Sequence, residues 1–240
     1  MKVVIIGGVA GGATAAARLR RLDERAEIII LERTGYVSYA NCGLPYYVGG
    51  VITDREELTL QTPEGFRNRF GIDVRVGQEA VELHPEQHTV TVRRLEDGST
   101  YALHYDKLIL SPGARAFVPP IRGIEDADIF TVRNVVDIAA LYTFIKEKDV
   151  HKVTVVGGGF IGVEVAENLV EAGYQVSLVE ALPQILNVYD YDMVQILQKE
   201  MLDKGVNLIV GDSAEEFKGS DLILKSGKKV EGEAVVMAVG

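Results

Sequence analysis

The fold class of this chain is decided by the stretch Lys152-Val153-Thr154-Val155-Val156-Gly157-Gly158-Gly159-Phe160-Ile161-Gly162. Its first five residues are a run of mostly β-branched side chains, which is typical of a parallel strand buried on both faces. Gly157, Gly159 and Gly162 then complete the spacing G-x-G-x-x-G at a turn that leads into a helix. This order of strand, glycine turn and helix predicts a βαβ unit that binds a dinucleotide.

The residues after this turn complete the unit. One face of the predicted helix carries the apolar residues Ile161, Val165 and Leu169. Gln175 to Val179 is the next strand, and Glu180 ends it. An acid at this place binds the ribose hydroxyls of a dinucleotide, and its charge repels the 2′-phosphate of NADPH. Glu180 therefore favours NADH over NADPH, and the alternative is a surface glutamate without a ligand.

The amino terminus repeats this order. Lys2 to Ile6 is a β-branched run, Gly7 to Gly12 is a glycine-rich turn, and an alanine-rich helix follows. Glu27 to Leu31 is the second strand, which Glu32 ends. Because Val9 replaces the middle glycine of the pattern, the residues alone leave two interpretations, a second dinucleotide site or a structural turn.

The alanine-rich helix has two predicted stripes. Its apolar stripe comprises Ala15, Leu19 and Leu22. Its polar stripe comprises Thr14, Arg18 and Arg21, which is suited to a polyphosphate but is also typical of an ordinary solvated helix face.

The rest of the chain fits the same fold class. Short alternating runs between residues 72 and 104 predict an antiparallel β insertion. Tyr105 to Leu110 is a further buried strand, ending at the turn Ser111-Pro112-Gly113, and Pro119-Pro120 marks a boundary. We therefore expect an α/β protein with two Rossmann-like three-layer domains, 1–118 with the small antiparallel insertion and 119–240. Since the last strand reaches Gly240, we expect the natural polypeptide to continue.

The segment Ser38-Tyr39-Ala40-Asn41-Cys42-Gly43-Leu44-Pro45-Tyr46 contains the only cysteine of the chain. Pro45 suits the first turn of a short helix, which Asn41 or Ser38 could cap. A thiol at a helix start faces the positive end of the helix dipole, which favours its thiolate form. Cys42 is thus either a reactive thiol or a buried structural one.

Composition and charge exclude several classes of protein. The chain is 47% hydrophobic and 25% charged, as in ordinary globular proteins, and its net charge of −10 argues against binding to nucleic acid or to an anionic membrane. One cysteine excludes an intrachain disulfide and fits a reducing compartment, so we expect a cytoplasmic protein. No apolar run approaches the roughly 18 residues of a membrane span.

The two dinucleotide units, the lone cysteine and the Ser111-Pro112-Gly113 turn together resemble the flavoprotein disulfide reductases that have two dinucleotide-binding domains. The residues Asn41-Cys42-Gly43-Leu44-Pro45 resemble the single-cysteine branch, which includes coenzyme A disulfide reductases, coenzyme A persulfide reductases, NADH oxidases and NADH peroxidases. Tyr47 stands where dithiol members have a second cysteine, and Ala10 stands where peroxidases and water-forming oxidases usually have histidine. Gly7 to Thr14 looks most like the coenzyme A disulfide and persulfide reductases.

This resemblance implies an FAD-binding domain over 1–118, an NAD(P)H-binding domain over 119–240, and a C-terminal dimerisation domain that lies outside this chain. The residues that match FAD contacts are Gly7, Gly8, Val9, Ala10, Gly11, Gly12, Glu32, Arg33, Val81, Ser111, Pro112, Gly113 and Arg133. The residues assigned to NADH are Gly157, Gly159, Phe160, Ile161, Gly162, Glu180, Tyr189 and Gly240. The residues that match coenzyme A contacts are Thr14, Arg18, Arg21, Ser38 and Asn41.

The same resemblance implies a homodimeric enzyme that passes hydride from NADH through FAD to Cys42, which reduces a small disulfide or persulfide such as coenzyme A disulfide. Coenzyme A enters as substrate or adduct, and no metal is expected. Two alternatives remain open. One is an NADH oxidase or peroxidase in which Cys42 cycles through sulfenic acid, and the other is an electron-carrier reductase in which the cysteine is inert.

Overall fold

The computed structural model describes residues 1–239. In it the chain forms two compact units. The first unit comprises Met1–Ala40 and Glu56–Ala114, and the second comprises Asn41–Arg55 and the chain from Arg115 onward. Gly240, which the sequence assigns to the NADH site, lies outside the described residues.

The strands and helices follow the sequence patterns closely. The strands are β1 (Lys2–Ile6), β2 (Glu27–Glu32), β3 (Asp73–Val76), β4 (Gln78–His84), β5 (Thr89–Arg94), β6 (Thr100–His104), β7 (Lys107–Leu110), β8 (Ile129–Phe130), β9 (Lys152–Val156), β10 (Gln175–Glu180), β11 (Asn207–Val210), β12 (Ala214–Lys218), β13 (Asp221–Leu224), β14 (Lys229–Val230) and β15 (Ala234–Met237). The α-helices are α1 (Ala10–Leu22), α2 (Leu44–Val48), α3 (Pro63–Phe70), α4 (Val135–Glu147), α5 (Phe160–Glu171) and α6 (Tyr191–Asp203).

The first unit has three layers around a parallel sheet of order β3-β2-β1-β7. Alternate residues of β1 face opposite sides of this sheet. Val3 and Ile5 pack with α1 and α3, where Ala16 and Phe66 are buried. Val4 packs instead in a core with buried residues of the antiparallel sheet β4-β5-β6. The predicted α/β class with an antiparallel insertion in this unit is confirmed.

Helix α1 buries a different face from the one its apolar residues predict. Its buried residues are Gly12, Ala13 and Ala16, whereas Ala15 is half-buried and Leu22 is 67% exposed. The predicted stripe of Ala15, Leu19 and Leu22 is therefore wrong, although Leu19 does pack at the edge of the core. Small residues are buried because α1 approaches the turn after β1 very closely.

The second unit is built on the parallel sheet β11-β10-β9-β15-β8. A further antiparallel sheet, β12-β13-β14, shares a core with it through Phe217, Leu222 and Val235. The sequence does not predict this second antiparallel sheet.

Helices α2, α4 and α5 pack together in the second unit. Tyr47 of α2 lies against Tyr142 of α4, with ring centroids 4.9 Å apart. A Cβ atom on Gly49 would lie only 2.7 Å from Asn168 of α5, so the end of α2 touches α5 directly. On α5, Val165 and Leu169 are buried as predicted, whereas the prediction is wrong for Ile161, which is exposed.

Candidate functional site

The first glycine turn joins three elements at close range. Gly7 has φ of +97°, and a Cβ atom on it would lie 2.0 Å from the carbonyl oxygen of Ser111. A Cβ atom on Gly12 would lie 1.8 Å from the carbonyl oxygen of Gly7. Only glycine fits at both positions, because the end of β1, the start of α1 and the residue after β7 all meet there.

Glu32 stabilises the conformation of this turn through hydrogen bonds to the backbone. Its carboxylate is buried and accepts hydrogen bonds from the backbone N–H of Gly8 (2.9 Å) and of Thr34 (2.8 Å). The N–H of Ser38 in turn donates to the carbonyl oxygen of Gly8 at 2.9 Å, and Ser38 itself has φ of +50°. The predicted ribose-binding acid thus also organises the glycine turn.

The second unit repeats this arrangement. Gly157 has φ of +109°, and a Cβ atom on Gly162 would lie 1.9 Å from its carbonyl oxygen. Glu180 accepts from the N–H of Gly158 at 2.6 Å and from the N–H of Leu182 at 2.7 Å. Leu186 occupies the place that Ser38 has in the first unit, since its N–H donates to the carbonyl oxygen of Gly158 at 2.7 Å.

The replacement of the middle glycine by Val9 leaves the turn intact. Val9 has φ of −101°, and Gly159 at the same place in the second unit has φ of −75°. Neither residue has the positive φ that would require glycine. A Cβ atom on Gly159 would meet no atom of the described chain within 4 Å, so this position tolerates a side chain sterically.

Both turns fit the pyrophosphate of a dinucleotide. The first intrahelical bonds begin at the N–H groups of Ala13 and Val163, so the N–H groups before them have no partner within their own helix. Those N–H groups and the positive end of the helix dipole favour a phosphate. The glycine residues leave room for the phosphate to approach the backbone, and a Cβ atom on Gly11 would lie 3.3 Å from Oγ of Ser111 in the first unit.

Other residues assigned to FAD lie in different places. Arg33 is exposed and pairs with Glu79 at 3.6 Å, and Val81 is exposed on β4. Arg133 belongs to the second unit, where its backbone N–H donates to Asp137 at 3.1 Å and its guanidinium donates to the Asn41 side chain at 3.5 Å.

The remaining residues assigned to NADH lie at the start of α5. Phe160 and Ile161 are exposed, and Phe160 meets the ring of Tyr189 edge to face with centroids 5.9 Å apart. The loop between β10 and α6 therefore lies beside the glycine turn. Sequence reasoning missed Ile185 and Leu186 of this loop, which were detectable because Val37 and Ser38 hold the same spacing after the acid of the first unit.

Four of the five residues that match coenzyme A contacts share one crevice of the first unit. Thr14, Arg18 and Arg21 of α1 line it with Ser38, and the crevice encloses about 370 Å³. Its other wall includes Phe70, which stands where the resemblance places a lysine in a coenzyme A reductase, and two residues that the sequence did not single out, Gln61 and Phe66. Asn41 does not line this crevice and lies in the second unit.

Arg20 joins the two walls of this crevice. Its guanidinium donates to the carbonyl oxygens of Phe70 (2.7 Å) and Gly71 (3.0 Å) at the end of α3. It also donates to the carbonyl oxygen of Glu24 at 2.7 Å, beyond the end of α1.

Cys42 is exposed on a short 3-10 turn, Asn41–Gly43, that continues into α2. Pro45 lies in the first turn of α2, as predicted. The predicted cap is wrong, because Gly43 is the residue before the helix and the Asn41 side chain bonds Arg133 instead. The exposure of Cys42 also removes the alternative of a buried structural thiol.

Within residues 1–239, no group of three or more His, Cys, Asp or Glu side chains is arranged to hold a metal ion. None of the helices in that range is both long and apolar enough to cross a membrane. The hydrogen bond of Lys152 to Glu231 raises the pKa of Lys152, and this ion pair lies at the amino end of β9, opposite the glycine turn at its carboxyl end. The pair is therefore structural.

Comparison with known proteins identifies the relatives of this chain. The family described as pyridine nucleotide-disulphide oxidoreductase matches residues 1–240. A coenzyme A disulfide reductase of Staphylococcus aureus (strain JH9) is 38% identical over 239 residues, which is 100% of this chain and 54% of that protein. The chain thus spans about half the length of such relatives.

Two solved structures show the same fold over the whole chain. The reduced CoADR-RHD of Bacillus anthracis has a TM-score of 0.97 and 46% identity, covering 100% of this chain and 43% of its own. An NAD-dependent persulfide reductase from A. fulgidus has a TM-score of 0.95 and 33% identity, covering 100% and 46%. The predicted family resemblance is confirmed.

Proposed function

This chain belongs to the pyridine nucleotide-disulphide oxidoreductase family, and we propose that it is the cofactor-binding part of an enzyme that reduces coenzyme A disulfide or a related persulfide with NADH. The coenzyme A disulfide reductase at 38% identity supports the disulfide. The persulfide reductase at 33% identity supports the persulfide. The observation that carries the proposal is the exposed Cys42, since it is the only thiol that the sequence offers.

FAD and NADH are the cofactors of this class of oxidoreductase, and the two glycine turns are the places for them. We assign FAD to the turn from Gly7 to Gly12 with Glu32 and Ser111, and NADH to the turn from Gly157 to Gly162 with Glu180. In each turn the backbone N–H groups bind pyrophosphate, while the acid accepts from a ribose hydroxyl. When bound, FAD supplies the two-electron chemistry that links hydride from NADH to a sulfur–sulfur bond.

Cys42 provides the sulfur that exchanges with substrate. Its thiolate attacks one sulfur of a disulfide RSSR, so that a Cys42–SR bond forms, the S–S bond breaks and RS⁻ leaves. Two electrons from NADH then cleave the mixed disulfide, which releases the second thiol and restores the Cys42 thiolate. The overall balance is NADH + H⁺ + RSSR giving NAD⁺ + 2 RSH. One cysteine suffices because the substrate brings the second sulfur.

The crevice of Thr14, Arg18, Arg21 and Ser38 is our candidate site for the phosphate groups of coenzyme A. Its two arginines are exposed on a protein whose net charge is −10. A pair of guanidinium groups on an otherwise acidic protein favours the binding of a polyphosphate at this place. The volume of about 370 Å³ is in the range of ligand sites.

Two further features of the whole protein belong to this proposal. By analogy with the family, the complete protein is a homodimer, and it acts in the cytoplasm, where a lone thiol remains reduced. Gel filtration coupled to light scattering of the complete protein tests the first of these.

The proposed reaction is tested by thiol counting with the complete, FAD-loaded protein. Coenzyme A disulfide, hydrogen peroxide, oxygen and an iron–sulfur electron carrier are offered in turn as oxidants of NADH. We expect coenzyme A disulfide to give the highest kcat/KM and to release two thiols per NADH consumed. Faster turnover with peroxide or oxygen, or with the electron carrier, would favour the corresponding alternative.

The crevice is tested with Arg18→Met and Arg21→Met. Each change is expected to raise KM for coenzyme A disulfide roughly fivefold. This factor corresponds to about 1 kcal/mol of binding free energy, because one charge-assisted hydrogen bond is lost. Cystine, which has no phosphate, serves as the matched substrate whose KM remains constant. Equal losses with both substrates would contradict the assignment.

A further inference from the structure

Three glutamine side chains lie between helix α6 and the loop that precedes it. They are Gln184, Gln195 and Gln198, and the first and last are only 7% and 9% exposed. Glutamine is usually a surface residue, so its burial at these positions calls for a physical reason.

Two of these amides hold the backbone of the loop from 181 to 190. The N–H of Ile185 donates to Oε1 of Gln198 at 3.1 Å, in a buried setting. Nε2 of Gln184 donates to the carbonyl oxygen of Tyr189 at 3.0 Å. Nε2 of Gln198 donates in turn to Oε1 of Gln195 at 3.2 Å, which fixes the orientation of the Gln198 amide.

The loop that they hold has a strained backbone at its centre. Leu186 has φ of +43°, a left-handed conformation that is unfavourable for leucine and persists only when its surroundings impose it. Its N–H donates to the carbonyl oxygen of Gly158 at 2.7 Å. The preceding Ile185 is fully buried, and its Cγ2 packs so closely that a Cβ on Gly158 would lie 2.7 Å away.

Gly158 is in turn the residue whose N–H binds Oε2 of Glu180, at 2.6 Å. A continuous set of contacts therefore runs from Gln198 through Ile185 and Leu186 to Gly158 and the carboxylate of Glu180. Gln184 supports the far end of the same loop, where Tyr189 meets Phe160.

We propose that Gln184 and Gln198 are positioning residues of the NADH site, which fix the loop so that the Glu180 carboxylate faces the adenosine ribose and excludes a 2′-phosphate. The inference rests on the proposed function only in placing NADH at the second glycine turn. Neither glutamine contacts the cofactor itself, and both act through the backbone of the loop.

The decisive variants are Gln198→Met and Gln184→Met, which keep the side-chain length and remove the amide. In Gln198→Met the buried N–H of Ile185 loses its acceptor, so the strained conformation of Leu186 is no longer favoured. NADH binding is expected to weaken by about 5- to 20-fold. Because the Glu180 carboxylate can then turn away, the ratio of the Kd for NADPH to the Kd for NADH is expected to fall by a similar factor.

The measurement is an anaerobic titration with NADH and with NADPH of the complete protein whose FAD has first been fully reduced, so that no hydride transfer consumes the nucleotide. Binding is followed by nucleotide fluorescence, and a thermal melt is recorded for each variant. Lys199→Met, on the exposed face of α6 beside Gln198, is the matched control and should keep both Kd values. A role in stability alone would lower Tm without changing the Kd ratio, and that result would overturn the proposal.

The outcomes separate this inference from the proposed function. If the wild-type protein binds NADH and both glutamine variants keep its Kd ratio, the positioning role is wrong and the proposed function stands. If the wild-type protein does not bind NADH, both fail. Should Gln198→Met not fold, Gln184→Met decides the question, because it removes a different bond of the same loop.

Discussion

Gly159 and Gly162 are three positions apart, yet the structure gives them different tasks. Gly162 is required by the protein itself, because a Cβ there would lie 1.9 Å from the carbonyl oxygen of Gly157. Gly159 has open space around it within the described chain. We expect the pyrophosphate of NADH to approach the turn through this space.

This difference predicts opposite effects of two alanine substitutions. Gly162→Ala should destabilise the second unit by about 1 to 3 kcal/mol, because the helix must move away from the turn. Gly159→Ala should keep Tm and weaken NADH binding by about tenfold, since its methyl group occupies ligand space. Thermal melts and NADH titrations of both variants check this. A loss of stability in Gly159→Ala with unchanged NADH affinity would contradict it.

Arg20 donates several hydrogen bonds to backbone carbonyl oxygens of the first unit. Its guanidinium donates to backbone carbonyl oxygens at the end of α3 and beyond the end of α1. Arg20→Met should lower the free energy of unfolding by about 2 kcal/mol, because these carbonyls lose a charged donor. Urea unfolding measures the change. Arg21→Met, one position along on the exposed face, is the control, and an equal loss there would contradict the role.

At this scale the sequence predicted the glycine turns and their acids well, because spacing alone specifies them. It could not predict Gln198 or Arg20. A glutamine or arginine in a helix looks like an ordinary surface residue, and only the fold brings Gln198 to Ile185 and Arg20 to Phe70. The assigned contacts to FAD, NADH and coenzyme A, Arg133 among them, stay predictions.

Among the elements, the amino end of β9 is held by a carboxylate from beyond β14. Glu233 accepts hydrogen bonds from the N–H groups of His151 (2.5 Å) and Lys152 (3.0 Å). These bonds, that of His151 first, lower the pKa of the Glu233 carboxyl. The ionised form is thus stabilised in the folded state.

The pKa shift of Glu233 gives a pH dependence with a definite sign. Because the folded-state pKa is lowered, the stabilisation is present above the unfolded pKa of about 4.3 and is lost as pH falls through the lowered value. Glu233→Gln should therefore be less stable than wild type at pH 7, and the difference should shrink below about pH 4. Urea unfolding at several pH values tests this, with the exposed Glu147→Gln as control. A difference independent of pH would refute it.

The sequence predicted the strands that are buried on both faces of a sheet, and it failed for strands that are short or rich in charged residues. The runs that form β1 and β9 are nearly all apolar and were predicted at their observed bounds. Strand β12 has the sequence Ala-Glu-Glu-Phe-Lys, of which only Phe217 is buried, so its pattern is indistinguishable from that of a loop. The buried stripe of α1 was misjudged because close packing, and not side-chain size, decides which face of that helix is covered.

For the whole molecule, the predicted α/β class and the family are confirmed. The association of residues 41–55 with α4 and α5 could not be predicted, because its contacts join residues far apart in sequence. Tyr47 meets Tyr142, and Gly49 meets Asn168. The domain boundary drawn at residue 118 stays a prediction, as do the dimer and the substrate.

The proposed reaction requires Cys42 to act as the thiol that exchanges with substrate. The most direct test is Cys42→Ser in the complete, FAD-loaded protein, studied by anaerobic stopped-flow spectroscopy in two steps. The first step mixes the enzyme with NADH and follows FAD absorbance. The second adds coenzyme A disulfide and counts released thiols.

We expect NADH to reduce FAD in the variant at the wild-type rate, because both glycine turns are untouched. Thiol release should then be absent, since serine cannot form the mixed disulfide. If the serine variant instead releases two thiols per NADH at the wild-type rate, Cys42 takes no part in the reaction and its proposed role is wrong.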